Sequence, residues 1–238
     1  MGVLDILYPK ACVMCGRLLG RHERGVCGEC MRELPYVSEP VCIHCGKPVA
    51  GGSEGICHDC GMAGESALDQ GAALWVYEGQ IKNAMQSFKN GGVSSDAGFY
   101  ATELVTHLGN RIRKWRPDVI VPVPIHAKKE AFRGYNQADE LCRELGRLTG
   151  IPHVRMLVRT KYTDPLKQLG PSARRKSLRQ VFAINEEHTG FFSESGKRVL
   201  LADDIYTTGA TINACADVLK AAGAESVFAL CLCIGSER

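Results

Sequence analysis

The chain reads as an α/β protein: a mostly parallel sheet flanked by helices, with a small amino-terminal module organised by metal. Three observations carry this reading. From Ser66 onward, apolar runs of strand length alternate with segments whose apolar residues recur at helical spacing. Strands alternating with helices build a parallel sheet covered on both faces. In the first sixty residues, eight cysteines fall in four evenly spaced pairs. Near the carboxyl end, RVLLADDIYTTGAT carries a buried strand into two adjacent aspartates and a Thr/Gly loop. At 238 residues there is room for one good-sized domain and an appendage, divided here as 1–65 and 66–238.

The appendage is a repeat. The pairs Cys12/Cys15, Cys27/Cys30, Cys42/Cys45 and Cys57/Cys60 are each C-x2-C and start 15 residues apart. CVMCGRLLGRHERGVCGEC aligns without a gap on CIHCGKPVAGGSEGICHDC, matching Gly16 with Gly46, Gly25 with Gly55, Arg17 with Lys47 and Glu29 with Asp59. A C-x2-C-Gly turn aims two sulfurs at one point, and two such turns make a tetrahedral zinc site with four thiolate ligands. With few large apolar residues, the segment takes its folding free energy from two structural Zn²⁺. A disulfide framework would need an oxidising compartment. The start, MGVLDILYPK, shows no signal-peptide pattern, so a cytoplasmic protein without membrane insertion is expected. Consecutive sites are favoured by the repeat, and a cross-braced pairing is the alternative. His44 and His58 read as exposed non-ligands.

The elements follow in order. AALWVYE (72–78) is a strand. QIKNAMQSFKNGG is a helix with Ile81, Ala84, Met85 and Phe88 on one face and a glycine stop. Ala101, Leu104, Val105, Leu108 and Ile112 mark a second helix. DVIVPVP is a buried strand. YNQADELCRELGRLTG is a helix with Ala138, Leu141, Leu145 and Leu148 inward and Gly150 as its stop. HVRMLVRT and VFAI read as strands on either side of a polar segment, 161–180. RVLLA is a buried strand ending at Ala202. TINACADVLKAAGA is a helix with Ile212, Cys215, Ala216 and Leu219 on one face, and SVFALCLCI is the last strand. Cys231 and Cys233, two apart on it, are expected to share a face.

In such sheets ligands bind at the carboxyl ends of the strands, where Asp203 and Asp204 stand. The loop behind them leads into a helix near Thr211, whose first turn suits a phosphate. Gly209 permits the tight backbone, and Thr207, Thr208 and Thr211 offer hydroxyls. Two acids for a vicinal diol, followed by a phosphate loop, match a ribose 5-phosphate.

These residues carry a family resemblance. VLLADDIYTTGAT resembles the phosphoribosyl-pyrophosphate (PRPP) loop of type I phosphoribosyltransferases. VPVPIHAKKEAFRGYNQADELC and LVRTKYTDPLKQLGPSARRKSL resemble the ComF family, named for DNA uptake in competent bacteria, whose members join zinc knuckles to such a domain. The resemblance implies that Asp203 and Asp204 bind the ribose hydroxyls. It places Tyr206, Thr207, Thr208, Gly209, Ala210 and Thr211 around the 5-phosphate. Ile125, His126, Ala127 and Lys128 would face the pyrophosphate, with Mg²⁺ bridging, and Lys161–Arg179 would be a closing loop. Catalysis would then rest on positioning and neutralisation of the leaving group, with Lys128, Lys161 and Arg175 as cationic candidates.

The formal charge of +3 falls to −1 once eight thiolates hold two Zn²⁺, so the total says little about partners. Distribution says more. Residues 155–179 hold eight cations and one anion. Arg174, Arg175, Lys176 and Arg179 are candidates for nucleic-acid backbone, and the same cluster suits pyrophosphate closure or plain solvation. Two functions compete. One is a PRPP-binding factor that handles single-stranded DNA with the uptake machinery. The other is a phosphoribosyltransferase of nucleotide metabolism, which would need a hood over its base. No separate hood segment is visible, which favours the first.

Overall fold

A computed structural model describes residues 11–20, 22–49, 55–63, 66–90, 96–161, 181–192 and 196–236. Most of the basic segment, with Arg174, Arg175, Lys176 and Arg179, lies outside the described residues.

Four strands form one all-parallel sheet: β1 (Gln70–Val76), β2 (Val119–Pro122), β5 (Arg198–Tyr206) and β6 (Ser226–Ile234), in the order β1-β6-β5-β2. β3 (Leu157–Arg159) and β4 (Phe182–Ile184) stand apart as an antiparallel pair. Their short runs have no parallel partner in the main sheet, so the expectation of one alternating sheet holds only for the other four.

The helices cover both faces. On one side lie α3 (Gly79–Asn90), α4 (Ala97–Trp115) and α6 (Gln137–Thr149). They bury Ile81, Ala84, Met85 and Phe88, then Tyr100, Ala101 and Leu104, then Leu141 and Leu145, against Leu200, Ala202 and Leu230. On the other, α7 (Ala210–Ala221) and the β3–β4 pair pack Ile212, Cys215, Ala216, Leu219 and Met156 against Val199, Leu201 and Ala229. The expected stripes are the buried ones, except that Val105 and Leu108 are half-buried and Leu148, a turn beyond Leu145, is exposed. Cys231 belongs to the cluster beneath α7 and Cys233 to the one beneath α3 and α4.

The amino-terminal ribbons clasp the β1 edge. Val37 N–H donates to Leu74 O (2.9 Å) and Val76 N–H to Pro35 O (2.8 Å), so the link between ribbons caps an otherwise open strand. α1 (Gly28–Arg32) ends the first ribbon and α2 (His58–Ala63) the second. Cys12, Met14, Val26, Cys27 and Cys30 join the core cluster beneath α3 and α4. Cys42, Cys45, Val49 and Cys57 join the cluster beneath α7. The apolar residues are few, but they extend the two sheet cores, and one ribbon goes to each face.

Candidate functional site

β5 runs past Ala202 through both acids to Tyr206, pairing Asp203 with Cys231, Ile205 with Cys233 and Tyr206 with Ile234. The acids are thus in the strand, not in the loop that leaves it. Polar residues end the apolar pattern, but the ladder continues because β6 stays apolar to Ile234. Their side chains meet different neighbours. Asp204 is buried, and Lys89 at the end of α3 brings its Nζ to 2.9 Å from Oδ2. That ion pair lacks hydrogen-bond alignment, since Oδ2 has no hydrogen-bond donor. Burial alone would lower the Lys89 pKa, but the Asp204 carboxylate raises it above its ordinary value. Asp203 accepts a hydrogen bond from the Asp204 amide (2.9 Å). Loss of solvent, then the Asp204 charge, pushes the Asp203 carboxyl well above the usual carboxylate range. Arg159 on β3 lies within electrostatic reach of Asp203, and burial lowers its own pKa.

After Tyr206 the chain turns through exposed Thr207 and Thr208 to Gly209, which caps α7 with φ 75°. Only glycine fits there. A Cβ would lie 2.1 Å from the Tyr206 hydroxyl. α7 starts at Ala210, with Ala210 and Thr211 half-buried in its first turn.

The second predicted turn leaves the neighbouring strand. Pro122 pairs with Ala202, and Val123 N–H donates to Ala202 O (2.9 Å). Ile125 and His126 follow half-buried, and His126 Nδ1 accepts from Lys128 N–H (3.1 Å) to cap α5 (Ala127–Arg133). So Ile125–Lys128 and Asp203–Thr211 leave the same edge of adjacent strands. Lys128 is exposed in the first turn of α5, and Lys161 is exposed two residues past β3. Arg175 lies outside the described residues.

The RGYNQ segment fastens this edge. Tyr135 O–H donates to Phe88 O, and Gln137 Nε2 donates to Lys89 O (3.1 Å). Asn136 Nδ2 donates to Val123 O (3.0 Å), while its Oδ1 caps α6. Together they pin the end of α3, and with it Lys89, beside the two strand ends. The sequence reading passed over Lys89. Its signal was position: it stands four residues after Met85, bordering the buried stripe. Phe132 was also passed over, while Arg159 was read only as one cation of the 155–179 segment and Lys47 only as the match to Arg17. Phe132 on α5 is 91% exposed.

The cysteines form two clusters, Cys12/Cys15/Cys27/Cys30 and Cys42/Cys45/Cys57/Cys60, each with all sulfurs within 4.8 Å of one another. Each repeat closes its own site, without cross-bracing. A tetrahedral Zn²⁺ with Zn–S of about 2.3 Å sets sulfurs about 3.8 Å apart. Cys15–Cys27 at 3.9 Å and Cys45–Cys57 at 3.6 Å fit that edge. The knuckle amides face the sulfurs. The Cys30 amide leads in drawing the Cys27 thiol down to about 7; for Cys42, burial opposes, but the amides of Cys45 and Cys57 still bring it to about 7. Burial pushes their neighbours Cys30 and Cys57 the other way. Neither cluster includes His44, which is half-buried rather than exposed, or His58, which is exposed.

Two family models match the chain: a phosphoribosyl transferase domain over residues 105–238 and a double zinc ribbon domain over residues 3–61. Among curated relatives, Competence protein F of Haemophilus influenzae is 36% identical over 112 residues, 47% of this chain and 48% of its own length. DNA utilization protein YhgH of Escherichia coli K12 is 31% identical over 118 residues, 49% of each chain. Competence protein ComFC of Streptococcus pneumoniae is 29% identical over 160 residues, 65% of this chain and 64% of its own. The chain spans about half the length of the first two. Solved structures with partial overlap include a purine phosphoribosyltransferase from Pyrococcus horikoshii (TM-score 0.36, 19% identical, 57% of this chain and 74% of that one). An adenine phosphoribosyltransferase overlaps similarly (TM-score 0.37, 17% identical, 63% and 75%).

Proposed function

The chain belongs to the ComF family, phosphoribosyl transferase domains joined to a double zinc ribbon, and from that premise we propose that it binds PRPP at the carboxyl edge of its sheet and serves the handling of single-stranded DNA. One observation carries the ligand assignment: two acids stand near the end of β5, the second of them two residues before its end at Tyr206, and a glycine loop then opens a helix. Lys89 neutralises one of the two charges, so the pair offers hydrogen-bond acceptors to a diol without repelling the phosphates outright. The Thr207–Thr211 loop and the first turn of α7 supply amides and hydroxyls to the 5-phosphate. The Ile125–Lys128 turn faces the diphosphate, and Arg159 contributes positive charge near Asp203. Bound with PRPP, Mg²⁺ would neutralise the diphosphate.

The DNA part rests on the relatives' printed names and on Phe132. Its ring stands in solvent on a helix that also carries Lys128, Lys129 and Arg133. An exposed aromatic beside cations is a stacking platform for an unpaired base. A cytoplasmic setting, where thiols stay reduced, belongs to the same proposal; among the described residues no helix is long and apolar enough to cross a membrane. Transfer of the phosphoribosyl group to an acceptor is the second reading, favoured by the transferase family match, with Lys128, Lys161 and Arg175 as the leaving-group cations.

Calorimetry with PRPP and Mg²⁺ tests the site. Wild type binds, and the double variant Asp203→Asn, Asp204→Asn loses measurable binding; unchanged affinity would overturn the assignment. Filter binding across salt tests the DNA part. Phe132→Ala should weaken oligonucleotide binding about tenfold or more. Replacing Arg174, Arg175 and Lys176 by Ala should flatten the log–log salt slope by up to about 2 units. No binding at low salt would leave the transferase, for which pyrophosphate release with a panel of acceptors is the assay.

A further inference from the structure

We propose that the second zinc ribbon is a working part of the phosphate loop, with Lys47 as the positioning residue that joins them. The inference rests on the reading of Thr207–Thr211 as a phosphate-binding loop, but its physical content, a loop held by a ribbon, is separate.

Lys47 belongs to the first knuckle of the second ribbon, where its carbonyl accepts from the Cys42 amide (2.7 Å). Its side chain turns inward and is only 3% exposed. A buried ammonium is costly unless paired and hydrogen-bonded. Two groups meet it. Asp59, between Cys57 and Cys60, lies 2.5 Å from Nζ. The carbonyl oxygen of Thr207, 160 residues away in sequence, accepts from Nζ at 3.3 Å. So both partners of the ion pair are built into knuckles of one zinc site, and the remaining contact fixes the first peptide of the loop. Further contacts hold the ribbon to the sheet and to the helix behind the loop. Tyr206 packs in one cluster with Cys42, Cys45 and Cys57, and its hydroxyl lies against Gly209. Gly46 meets the backbone of Gly71 and Ala72 so closely that a Cβ would lie 2.8 Å from Gly71 O. Ser66 Oγ, on the chain leaving the ribbon, is 2.7 Å from Asn213 Oδ1 in the first turn of α7.

A phosphate loop works by holding several amides in one orientation before the ligand arrives. Here that preorganisation comes from outside the loop. With metal at Cys42/Cys45/Cys57/Cys60, Asp59 and Lys47 keep their spacing and the Thr207 carbonyl is held. Without it, the ion pair loses its frame and the loop its anchor.

The test combines hydrogen–deuterium exchange with calorimetry on the full chain carrying two Zn²⁺. Lys47→Met should speed exchange of peptides covering Tyr206–Asn213 and weaken PRPP binding, each about tenfold or more. Lys47→Arg, which keeps a cation, should recover part of both. Asp59→Asn should loosen the same peptides with zinc content unchanged, and it decides the matter if Lys47→Met does not fold. Arg17→Met, in the other ribbon, should leave the loop unmoved. In wild type, graded chelation should loosen Tyr206–Asn213 in step with the second ribbon and not the first. Folded, zinc-replete Lys47→Met and Asp59→Asn proteins with wild-type loop exchange would overturn the proposal. So would loop loosening in step with the first ribbon. Failure of wild type to bind PRPP would instead count against the ligand, because loop exchange reports the anchor alone.

Discussion

Arg17 and Lys47 hold the same place in the two ribbons, and each faces an acid twelve residues on. The Arg17–Glu29 pair stands in solvent at 3.5 Å, 48% and 71% exposed, while Lys47 and Asp59 meet at 2.5 Å over a buried ammonium. The glycines differ in a matching way. In the first ribbon Gly16 has open space, and Gly25 is crowded by the Phe99 ring, 2.2 Å from a hypothetical Cβ. In the second ribbon Gly55 has only ordinary side-chain contacts, and Gly46 is jammed against Gly71 and Ala72. Each ribbon therefore docks through a different knuckle: the first by its second knuckle onto α4, the second by its first knuckle onto β1. Repetition preserved the residues that make a ribbon. What each ribbon grips is set by the sheet face it meets, and among the described residues the second alone meets the candidate ligand edge.

The comparison breaks most directly at the metals. Cys12→Ser and Cys57→Ser should each reduce elemental analysis from two Zn²⁺ per chain to one, since each destroys a structural site worth about 10 kcal/mol or more. Their consequences should diverge. Cys57→Ser should abolish PRPP binding through the Thr207–Thr211 loop. Cys12→Ser should lower the melting temperature by uncovering the core beneath α3 and α4, while leaving PRPP affinity within about twofold at a temperature where the sheet is folded. Equal loss of affinity in both would erase the distinction between ribbons.

The glycines come next. All four have positive φ, so alanine costs about 1–2 kcal/mol at each from the left-handed backbone alone. At Gly25 and Gly46 overpacking adds about 1–3 kcal/mol more. Urea melts of the four alanine variants should rank Gly46 above Gly16 and Gly25 above Gly55. The Gly46 contact is backbone on backbone and cannot be relieved by a rotamer change, unlike the Phe99 ring, so Gly46→Ala should be the worst. A flat series would mean that the ribbons dock loosely.

Much of this was legible in the sequence because the signals were local. The cysteine spacing announced both metal sites, and the stripes of Ile81–Phe88 and Ile212–Leu219 announced two helices. Docking was not legible, since it depends on contacts such as Lys47–Thr207 between distant residues. Lys47 itself was visible only as a conservative match to Arg17. The span of β5 was misjudged for a related reason. Asp203 and Asp204 end the apolar run, while the ladder that carries them belongs to the partner strand β6. The role of Tyr135, Asn136 and Gln137 in pinning α3 shows why a polar motif can be structural at a ligand edge: each saturates a backbone carbonyl.

A smaller effect sharpens the picture beneath the loop. Asp203 has its carboxyl raised well above the usual range, so the folded state holds that proton more tightly than the unfolded chain. Its stabilising contribution is full below the ordinary Asp value of about 4 and is lost as pH rises through the raised folded value. Asp203→Asn removes the charge responsible. It should raise the melting temperature near neutral pH by roughly 2–4 °C, with the gain vanishing below about pH 4. PRPP binding should fall in the same variant. A loss of stability at neutral pH would show that Asp203 is ionised there and paired with a cation such as Lys89 or Arg159.

The smallest effect belongs to the exposed copy of the ion pair. Arg17 reaches half-buried Glu23 at 3.3 Å and exposed Glu29 at 3.5 Å from a guanidinium that is itself in solvent, where such pairs contribute little and salt screens what remains. Glu23 does not depend on it. The amides of Gly20 and Gly28 each donate to its carboxylate at 2.8 Å and are what hold its pKa below the ordinary value, with Arg17 only a minor contributor. Removing the guanidinium leaves those bonds in place. Arg17→Met should therefore keep two Zn²⁺ and show no resolvable change in melting temperature at physiological ionic strength, with at most a slight loss at low salt. Lys47→Met removes the same element of the repeat from a buried position and should lower the melting temperature at every salt concentration, because its partner Asp59 and the Thr207 carbonyl are left without their cation. If the two variants melt alike, burial is not what separates the ribbons, and the asymmetry would have to lie in their metals alone.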